Sequence, residues 1–293
     1  MMNVLVSVDK DYLEKALTML FSLHMHSNEE ITVYLLNHSL LPSDIESAQE
    51  YLARTCSIAL QCINVKDTAF DSMPLGSQHF SIEMYYRLFA QFFLPDCIDR
   101  VLWLDADIIV LKSLSDFYHQ DFDGKKYIAA ADYGVNNIKY WKAIKEKLGL
   151  PETYVYFNSG VLLINLECLR KETSEDSIIG KASIIREKLT LPDQDILNYL
   201  YHDDVKYADW KIYNYQYLGE TGIEAEDFQK IAVLHYVGSN KPWKYWCLNG
   251  GSRYYWKVRI QQGYWKEAVV TYWRQIKELT YIYVKTIKEL LWK

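Results

Sequence analysis

Residues 101–112 have the sequence VLWLDADIIVLK, in which Asp105 and Asp107 separate two apolar runs of strand length. Burying carboxylates between such runs is costly unless a cation or hydrogen-bond donors compensate them. The two-residue spacing points both groups the same way at a strand end, and open α/β sheets bind ligands at the carboxyl ends of their strands. The stretch therefore predicts a divalent cation held by hard oxygen ligands. The alternative is a turn with two solvated acids, since the D-x-D pattern recurs elsewhere in the chain.

Upstream of this stretch, apolar runs of strand length alternate with amphipathic helical patterns. The sequence predicts, in chain order, strand 3–8, helix 12–24, strand 31–36, helix 43–53, strand 58–65 and helix 84–92. Such alternation implies right-handed crossovers and a sheet with helices on its faces. The predicted fold class is therefore α/β.

Downstream, the alternation continues and then gives way to a helical tail. The sequence predicts strands 127–131, 157–166 and 231–237, and helices 140–148, 181–188 and 193–201. From Trp265 to Leu290, apolar residues recur at steps of three or four, which is typical of one or two amphipathic helices. We therefore expect a main domain over residues 1–249 and a helical C-terminal subdomain over residues 250–293.

The composition is that of an ordinary globular protein, with 50% apolar and 24% charged residues. Five cysteines without a C-x-x-C pair predict reduced thiols, not a disulfide or zinc scaffold. No apolar run has the length of a membrane span, and no basic stretch precedes the first apolar run. The sequence therefore predicts a cytoplasmic protein.

The net charge of −6 is unevenly distributed. Residues 251–293 contain nine Lys or Arg against three Glu, a charge of +6, so the first 250 residues carry −12. Such an acidic body repels phosphate backbones, which excludes nucleic acid as a partner. The tail has two interpretations. Its cationic, aromatic helices contact the inner face of a membrane, or an acceptor protein, peripherally. Alternatively, they pack on the acidic body or form a small helical subdomain beside the acceptor groove. The wide spread of the aromatic residues slightly favours packing.

A second candidate region is the run HYVGSNKPWK at residues 235–244, which follows the last predicted strand. A single histidine in such a place is most often a packing residue. Here, Gly238 permits close approach of the backbone, and Lys241 is a point charge suited to phosphate. With the two aspartates, His235 makes a mixed nitrogen and oxygen site that suits Mn²⁺ better than Mg²⁺ or structural zinc.

Polar clusters also interrupt other apolar segments. Asn158 and Ser159 stand at the start of a predicted strand, where an amide could bind a hydroxyl group. Asp193 and Gln194 open a predicted helix, where the alternative is that the acid only caps the helix and suits its dipole. Arg87 lies among apolar residues, so its guanidinium either finds a buried acceptor or reaches out to solvent.

Five motifs follow one another in a specific order. The first strand ends in Asp9, and LWLDADIIV, YFNSGVLLINL, LPDQDILN and HYVGSNKPW follow at residues 102–110, 156–166, 191–198 and 235–243. In this order they resemble glycosyltransferase family 8 over about residues 3–245. The resemblance implies a GT-A catalytic domain, which is a Rossmann-like mixed sheet flanked by helices. It also implies Mn²⁺-dependent transfer of a hexose from a UDP-sugar to a glycan or glycoconjugate acceptor, with retention to give an α-linkage.

The same resemblance implies roles for individual residues. Asp105, Asp107 and His235 would be the metal ligands, and Gly238 and Lys241 would hold the diphosphate. The residues at the uracil and ribose would be Val8, Asp9, Asp11, Tyr12 and Ala106, although the family often has Asn where this chain has Asp11. The residues around the donor sugar would be Arg87, Asn158, Ser159, Asp193 and Gln194, with Asp132 as the acid near the sugar and acceptor.

The stereochemical outcome restricts the mechanism. Retention requires either a nucleophile on the opposite face of the sugar or attack by the acceptor on the same face as departing UDP. The resemblance places Gln194 nearest the anomeric carbon, and a neutral amide is a poor nucleophile. Same-face attack is therefore our hypothesis, with the leaving phosphate taking the acceptor's proton. Galactose is favoured over glucose as the donor sugar, from bacterial relatives, and Mg²⁺ could substitute for Mn²⁺.

Other functions stay open from sequence alone. A sugar nucleotidyltransferase needs a Gly-rich basic loop after its first strand, and residues 6–15, VSVDKDYLEK, contain no Gly. A non-catalytic glycan-binding protein on a transferase fold is another alternative, although the expected metal and sugar residues are all present. Self-glycosylation through a tyrosine is a third.

Overall fold

The computed structural model describes residues 1–66, 73, 82–218, 228–239, 241–244 and 251–291. The chain divides into two compact units. The first unit comprises Met1–Gln216 and Lys230–His235, and the second comprises Tyr217–Gln229 and Tyr236–Lys293. These units group residues 217–229 and 236–249 with the tail, so a domain boundary between residues 249 and 250 stays a prediction.

The strands of the first unit form two sheets. They are β1 Met2–Ser7, β2 Ile31–Asn37, β3 Ala59–Asn64, β4 Arg100–Leu104, β5 Ile108–Val110, β6 Tyr127–Ala131, β7 Phe157–Asn165, β8 Val205–Ala208, β9 Tyr215–Gln216 and β10 Val233–His235. Seven strands lie in the order β3-β2-β1-β4-β7-β6-β8, and three lie in the order β5-β10-β9. Strands β3, β2, β1 and β4 are parallel, whereas β7 runs antiparallel to both β4 and β6. The predicted mixed α/β sheet is confirmed.

Helices precede or follow most of these strands. The α-helices of the described residues are α1 Lys10–Met25, α2 Pro42–Cys56, α3 Ala90–Phe93, α4 Ser115–Tyr118, α5 Tyr133–Asn137, α6 Lys139–Leu148, α7 Leu166–Glu172, α8 Glu175–Ile184, α9 Pro192–Tyr201, α10 Trp210–Tyr213, α11 Ser252–Gln261 and α12 Trp265–Leu291. Short 3₁₀ helices cover Ile82–Leu88 and Arg186–Lys188. The helix predicted over residues 84–92 is therefore a 3₁₀ turn followed by α3, because backbone bonds such as Phe89 N–H to Tyr86 O tighten this segment.

The large sheet is buried on both faces, which explains the nearly continuous apolar runs of its central strands. Leu5 and Trp103 pack in one hydrophobic core with Leu162. Their neighbours along the same strands, Val4 and Leu102, pack in a second core. Because side chains alternate across a strand, consecutive apolar residues supply opposite faces of the sheet.

The small sheet brings a late segment of the chain to the D-x-D stretch. β10 pairs antiparallel with β5, and His235 is the partner of Ile108 in that register. β9 pairs parallel with β10 on its other side, with Gln216 opposite His235. The histidine is thereby held beside the residues that follow β4, although it lies 128 positions later than Asp107 in the sequence.

The second unit contains the tail helices. The Trp256 indole N–H donates to the Pro242 carbonyl at 3.0 Å. The guanidinium of Arg259, which is 1% exposed, pairs with Glu267 and lies 3.9 Å from the ring centroid of Tyr264. The Arg259–Glu267 pair joins α11 to α12, and the Trp256 bond joins α11 to the segment around Pro242. Among the described residues we find no helix that combines the length and apolarity required to cross a membrane.

Candidate active site

The candidate site lies where the central strands of the large sheet end. β1 and β4 are parallel, so Val8 and Asp105, which follow them, lie at the same edge. β7 runs in the opposite direction, so its first polar residues, Asn158 and Ser159, lie at that edge too. Asp132 follows β6, whose last residue pairs with the first residue of β7. The fold therefore gathers side chains from four strands at one edge.

Asp105, Asp107 and His235 form a cluster at this edge. One ligand atom from each residue lies within 4.8 Å of the other two. His235 Nε2 is 3.2 Å from Asp107 Oδ1 and 3.9 Å from Asp105 Oδ2. Two carboxylates and one imidazole are a donor set suited to a divalent first-row cation. Within the described part of the chain, this is the cluster of His, Cys, Asp and Glu side chains that could hold a metal ion.

The backbone leaves space for this cluster only because residue 160 is glycine. A Cβ atom at Gly160 would lie 2.3 Å from His235 Cε1 and 2.8 Å from Asp105 Oδ2. Both distances are far below van der Waals contact. The Gly160 carbonyl also accepts the Asp105 backbone N–H at 2.9 Å, which fixes the start of the D-x-D turn. The fit of His235 against Asp105 therefore depends on this glycine.

Arg87 has the buried acceptors that its apolar surroundings require. Its guanidinium donates from Nη2 to Asp105 Oδ1 at 2.9 Å and from Nη1 to the Ser159 carbonyl at 2.7 Å. Nη1 also lies 3.3 Å from Asp193 Oδ2. The guanidinium stacks 4.3 Å from the ring centroid of Trp103. Arg87 is therefore buried between two carboxylates and does not extend into solvent.

A network of polar side chains continues from Arg87 across the edge. Ser159 Oγ donates to Asp193 Oδ2 at 2.9 Å, and the Ser159 backbone N–H donates to Gln194 Oε1 at 2.9 Å. Gln194 Nε2 and Asn158 Nδ2 both donate to Asp132 Oδ2, at 3.1 and 3.0 Å. All five residues are less than 10% exposed. The residues that the sequence grouped around a donor sugar are therefore in contact with one another.

The first turn of α9 is held rigidly beneath this network. Asp195 accepts the Tyr156 hydroxyl at 2.5 Å and the backbone N–H groups of Thr190 and Leu191 at 2.6 and 2.8 Å. Asn198 Nδ2 donates to the carbonyls of Gln194 and Phe157. These bonds join the start of α9 to the start of β7. They fix Gln194 relative to the polar residues of β7.

Burial changes the acidity of both α9 carboxyls. It raises the pKa of Asp193, although the nearby Arg87 guanidinium acts in the opposite direction. Burial also raises the pKa of Asp195 to about 6, against the effect of its hydrogen bonds from Tyr156, Thr190 and Leu191. The alternative that the acid only caps the helix is wrong, because the N-cap of α9 is Leu191 without a side-chain cap hydrogen bond, and Asp193 pairs with Arg87.

The residues expected at the nucleoside lie around the end of β1. Asp9 is the N-cap of α1, and its carboxylate accepts the Tyr12 backbone N–H at 3.0 Å. Val8 is buried, Tyr12 is 37% exposed and Asp11 is exposed in the first turn of α1. Ala106 lies between the two aspartates and packs partly buried on the second core. Capping the N-terminus of α1 is therefore one function of Asp9.

Gly238 and Lys241 belong to the second unit. Gly238 has a φ of 72°, in the left-handed region that disfavours residues with a Cβ. Lys241 is 8% exposed, and its Nζ donates to the Tyr236 carbonyl at 2.6 Å. Glycine is therefore required at position 238 for backbone geometry, and the Lys241 ammonium is held by a neighbouring carbonyl.

Three residues of this site were not predicted from the sequence. Trp103 Nε1 donates to Asp105 Oδ1 at 2.9 Å, and Asn214 Oδ1 lies 2.9 Å from His235 Nδ1. The third is Gly160, whose steric role depends on the folded positions of residues far away in sequence. A signal for Asn214 was present, since it is an amide flanked by tyrosines in the run IYNYQY.

Comparison with known proteins places this arrangement in a family context. The family model described as glycosyl transferase family 8 matches residues 3–247. The lipopolysaccharide 1,3-galactosyltransferase of Salmonella typhimurium is 24% identical over 86% of this chain and 76% of its own length. The lipopolysaccharide 1,2-glucosyltransferase of Escherichia coli is 26% identical over 91% of this chain and 79% of its own length.

A solved structure agrees with these sequence matches. The galactosyltransferase LgtC, in complex with donor and acceptor sugar analogues, superimposes with a TM-score of 0.76 and 26% identity, over 88% of this chain and 95% of that chain. The family match covers the strands that converge on the Asp-Asp-His cluster and most of the remaining chain. The chain belongs to glycosyl transferase family 8 and is a glycosyltransferase with the GT-A fold.

Proposed function

We propose that this glycosyltransferase moves a hexose from a UDP-sugar to a glycan or glycoconjugate acceptor, with retention to give an α-linkage. The observation that carries the proposal is the contact between two groups of residues. The Asp105, Asp107 and His235 cluster is joined through Arg87 to the polar network of Asp193 and its neighbours. A diphosphate and the sugar attached to it require such adjacent sites.

The cluster fits a divalent cation. Its two carboxylates supply hard oxygens, and Gly160 leaves the space that the imidazole occupies. We propose Mn²⁺, with Mg²⁺ as a substitute, because an imidazole nitrogen is a better ligand for Mn²⁺. A bound cation would supply Lewis-acid stabilisation of the negative charge that develops on departing UDP. Asp105, Asp107 and His235 would hold it.

The nucleotide would be held by the residues that the family resemblance assigns to the diphosphate and to the nucleoside. Lys241 and Gly238 would hold the diphosphate, with the ammonium as a point charge and the left-handed glycine allowing close approach of the backbone. Asp9, Asp11 and Tyr12 would contact the nucleoside, together with the backbone of Val8 and Ala106. Asp9 can serve there because the bond from Tyr12 N–H uses only one of its two carboxylate oxygens.

The sugar would lie against the buried network. The residues around the sugar would be Arg87, Asn158 and Ser159. Asp132 accepts a hydrogen bond from Gln194, and sugar and acceptor would meet beside this pair. Asp193 is a weak candidate for a nucleophile, because its carboxylate already accepts from Ser159 Oγ and pairs with Arg87. Gln194 is a neutral amide. Because the ion-paired carboxylate of Asp193 and the amide of Gln194 are both poor nucleophiles, we favour same-face attack by the acceptor, with its proton passing to the departing phosphate.

The donor sugar and the acceptor are inferred from relatives. Curated relatives include a galactosyltransferase and glucosyltransferases that act on lipopolysaccharide, and the similar solved structure is a galactosyltransferase. We therefore propose galactose, with glucose as the second candidate, and an acceptor that is a glycan or a glycoconjugate made in the cytoplasm.

The tail has a separate proposed function. On α12, Trp273 is 63% exposed and Tyr281 is 70% exposed, and residues 251–293 carry a charge of +6. Exposed aromatic rings beside cationic residues suit an anionic membrane surface. We propose peripheral contact with such a surface. Co-sedimentation of the enzyme with phosphatidylserine vesicles, lost in Trp273→Glu/Tyr281→Glu, would support this contact, and no binding of the wild type would favour the packed subdomain.

The catalytic proposal is tested by UDP release from a panel of UDP-sugars with Mn²⁺. We expect one UDP-hexose to be hydrolysed and Asp105→Ala/Asp107→Ala to abolish that hydrolysis. Asp121→Ala/Asp123→Ala is the matched control, because it removes another D-x-D pair of exposed residues, and Asp121 lies beside Arg100 at the end of β4 opposite Asp105. The absence of both hydrolysis and UDP binding would favour a glycan-binding protein instead. Intact mass after incubation with donor tests self-glycosylation in the same samples.

A further inference from the structure

Asn214 is a buried amide between the metal cluster and the sugar-side network. It is 0% exposed and directly precedes β9. Its Oδ1 lies 2.9 Å from Nδ1 of His235, and its Nδ2 donates to Asn158 Oδ1 at 2.8 Å. A histidine nitrogen can donate or accept, and the two ends of an amide look alike in shape. Which atom donates in each of these hydrogen bonds therefore has to be established from the fixed members of the chain, which are the groups that can only donate or only accept.

The first fixed member is a backbone group. The Gly160 N–H can only donate, and it lies 2.9 Å from Asn158 Oδ1. The oxygen of the Asn158 amide must therefore face Gly160. Its nitrogen then donates to Asp132 Oδ2 at 3.0 Å. If this amide were turned over, its NH₂ group would face the Gly160 N–H, a donor against a donor. Its oxygen would face Asp132 Oδ2, an acceptor against an acceptor.

Asp132 is itself held in place by the backbone. Its other oxygen, Oδ1, accepts the Val135 N–H at 2.7 Å and caps α5. Its Oδ2 also accepts Gln194 Nε2. The orientation of the Asn158 amide is thus determined from both ends, by backbone donors on Gly160 and Val135.

The orientation of Asn214 follows. Because Asn158 presents its oxygen, Asn214 must present its nitrogen to it, and the Asn214 oxygen then faces His235 Nδ1. That oxygen can only accept. His235 must therefore carry a proton on Nδ1, and the lone pair available for a metal lies on Nε2. Nε2 is the nitrogen that faces Asp105 and Asp107.

We propose that Asn214 is a positioning residue that orients the His235 ring and fixes the tautomer in which Nε2 binds the cation. This inference rests on the metal site of the proposed function. A partner on the second nitrogen of a ligating histidine holds the ring and raises its basicity, and its loss costs roughly 10–100-fold in metal affinity. The relay of Asp132, Asn158, Asn214 and His235 also joins the acid beside Gln194 to the metal cluster.

The proton itself can be observed without any metal. We would record the ¹⁵N and ¹H signals of the histidine rings in the metal-free protein, with His235→Ala used to assign the signal of His235. We expect a proton on Nδ1 in the wild type and its loss, or rapid exchange with water, in Asn214→Ala. A wild-type His235 with no proton on Nδ1 would overturn the proposal. The wild-type part of this measurement does not require Asn214→Ala to fold.

The consequence for the cation is measured by titrating the protein with Mn²⁺ alone and detecting free Mn²⁺ by electron paramagnetic resonance. We expect Asn214→Ala to bind Mn²⁺ roughly 10–100-fold more weakly than the wild type. Asn214→Asp should recover most of this loss, because a carboxylate oxygen also accepts the Nδ1 proton. The Asn214→Asp variant should be less stable than the wild type, since its second carboxylate oxygen would face Asn158 Oδ1, an acceptor against an acceptor.

Asn37→Ala is the matched control for these titrations. Asn37 is also 0% exposed, but its amide donates to Cys62 Sγ and the Ile63 carbonyl on β3. Asn37→Ala should be less stable than the wild type and should bind Mn²⁺ with the wild-type affinity. Equal weakening in Asn214→Ala, Asn214→Asp and Asn37→Ala would reduce Asn214 to a packing residue and overturn the proposal, as would unchanged affinity in a folded Asn214→Ala. If the wild type binds no Mn²⁺, the metal part of the proposed function fails, and the ring signals still decide the role of Asn214.

Discussion

Arg87 binds one of the two carboxylate oxygens of Asp105 and leaves the other oxygen facing His235. Arg87 Nη2 donates to Asp105 Oδ1 at 2.9 Å, and the Trp103 indole donates to the same oxygen at the same distance. Oδ2 is left facing His235, 3.9 Å from its Nε2. One oxygen therefore anchors the side chain to the protein, and the other is presented to the metal cluster. Arg87 also pairs with Asp193, so one cation orients both sides of the site.

Replacing Arg87 should affect binding and stability together. In Arg87→Met, Asp105 and Asp193 lose their shared cation, and breaking a buried pair of this kind costs about 3 kcal/mol or more. Arg87→Lys should recover only part of the loss, because an ammonium cannot donate to Asp105 and the Ser159 carbonyl in the same forked geometry. UDP release and urea unfolding measure the two effects. Arg100→Met, at the other end of β4, should lose stability without losing Mn²⁺ affinity.

Gly160→Ala should disable the metal cluster with little change to the rest of the fold. The new Cβ would displace His235 or Asp105, which it would approach within 2.3 and 2.8 Å. A displacement of about 1 Å at such a site costs roughly 100-fold in rate. We expect Mn²⁺ affinity and UDP release to fall together, as measured by titration and by the release assay.

Gly180→Ala is the control for that change. Gly180 lies within α8 with no atom within 4 Å of a built Cβ, so alanine should stabilise the helix by about 1 kcal/mol and leave activity unchanged. Normal Mn²⁺ binding by a folded Gly160→Ala would contradict the assigned role of this glycine.

Sequence alone predicted the parts of this site that local patterns encode. The D-x-D pair and His235 were identified from charged residues next to apolar runs, and these three side chains do lie together in a cluster that could hold a metal ion. The helical periodicity of α1 and α6 predicted both helices within a few residues. These features depend on residues close together in the chain.

Features that depend on distant residues were not predictable in this way. The antiparallel course of β7 could not be inferred, because a strand buried on both faces is apolar throughout and carries no mark of direction. Arg87 finds acceptors 18 and 72 positions away, on Asp105 and Ser159. The partner of His235 is 21 positions away, on Asn214. Such pairings are decided by the register of the sheet.

The pH dependence of stability should contain a contribution from Asp195. Burial raises its pKa from 3.8 to about 6, with Asp193 adding to the rise and the bonds from Tyr156, Thr190 and Leu191 opposing it. The folded protein therefore holds this proton more tightly than the unfolded chain. The stabilisation is complete below about pH 4 and is lost as the pH rises through about 6, a change on the order of 3 kcal/mol.

Asp195→Asn removes that titration. Urea unfolding at several pH values should show the stability of the variant, relative to wild type, rising by about 3 kcal/mol between about pH 4 and pH 7. The difference between the two proteins is the relevant quantity, because other groups titrate in both. A difference that is flat with pH would mean that Asp195 ionises normally in the folded protein.

Gln194→Ala separates the two mechanisms of retention. Both ends of the Gln194 amide are occupied, with Oε1 accepting the Ser159 N–H and Nε2 donating to Asp132 Oδ2. Its removal should loosen the network and cost no more than about 10²–10³-fold in rate, the scale of one lost polar contact at the reacting centre. Loss of a true nucleophile costs about 10⁴-fold or more. Intact mass of quenched reactions adds a direct observation, since same-face attack forms no covalent intermediate. A glycosyl adduct on Gln194 or Asp193, or a rate loss on the nucleophile scale, would show that the sugar passes through the enzyme in two displacements.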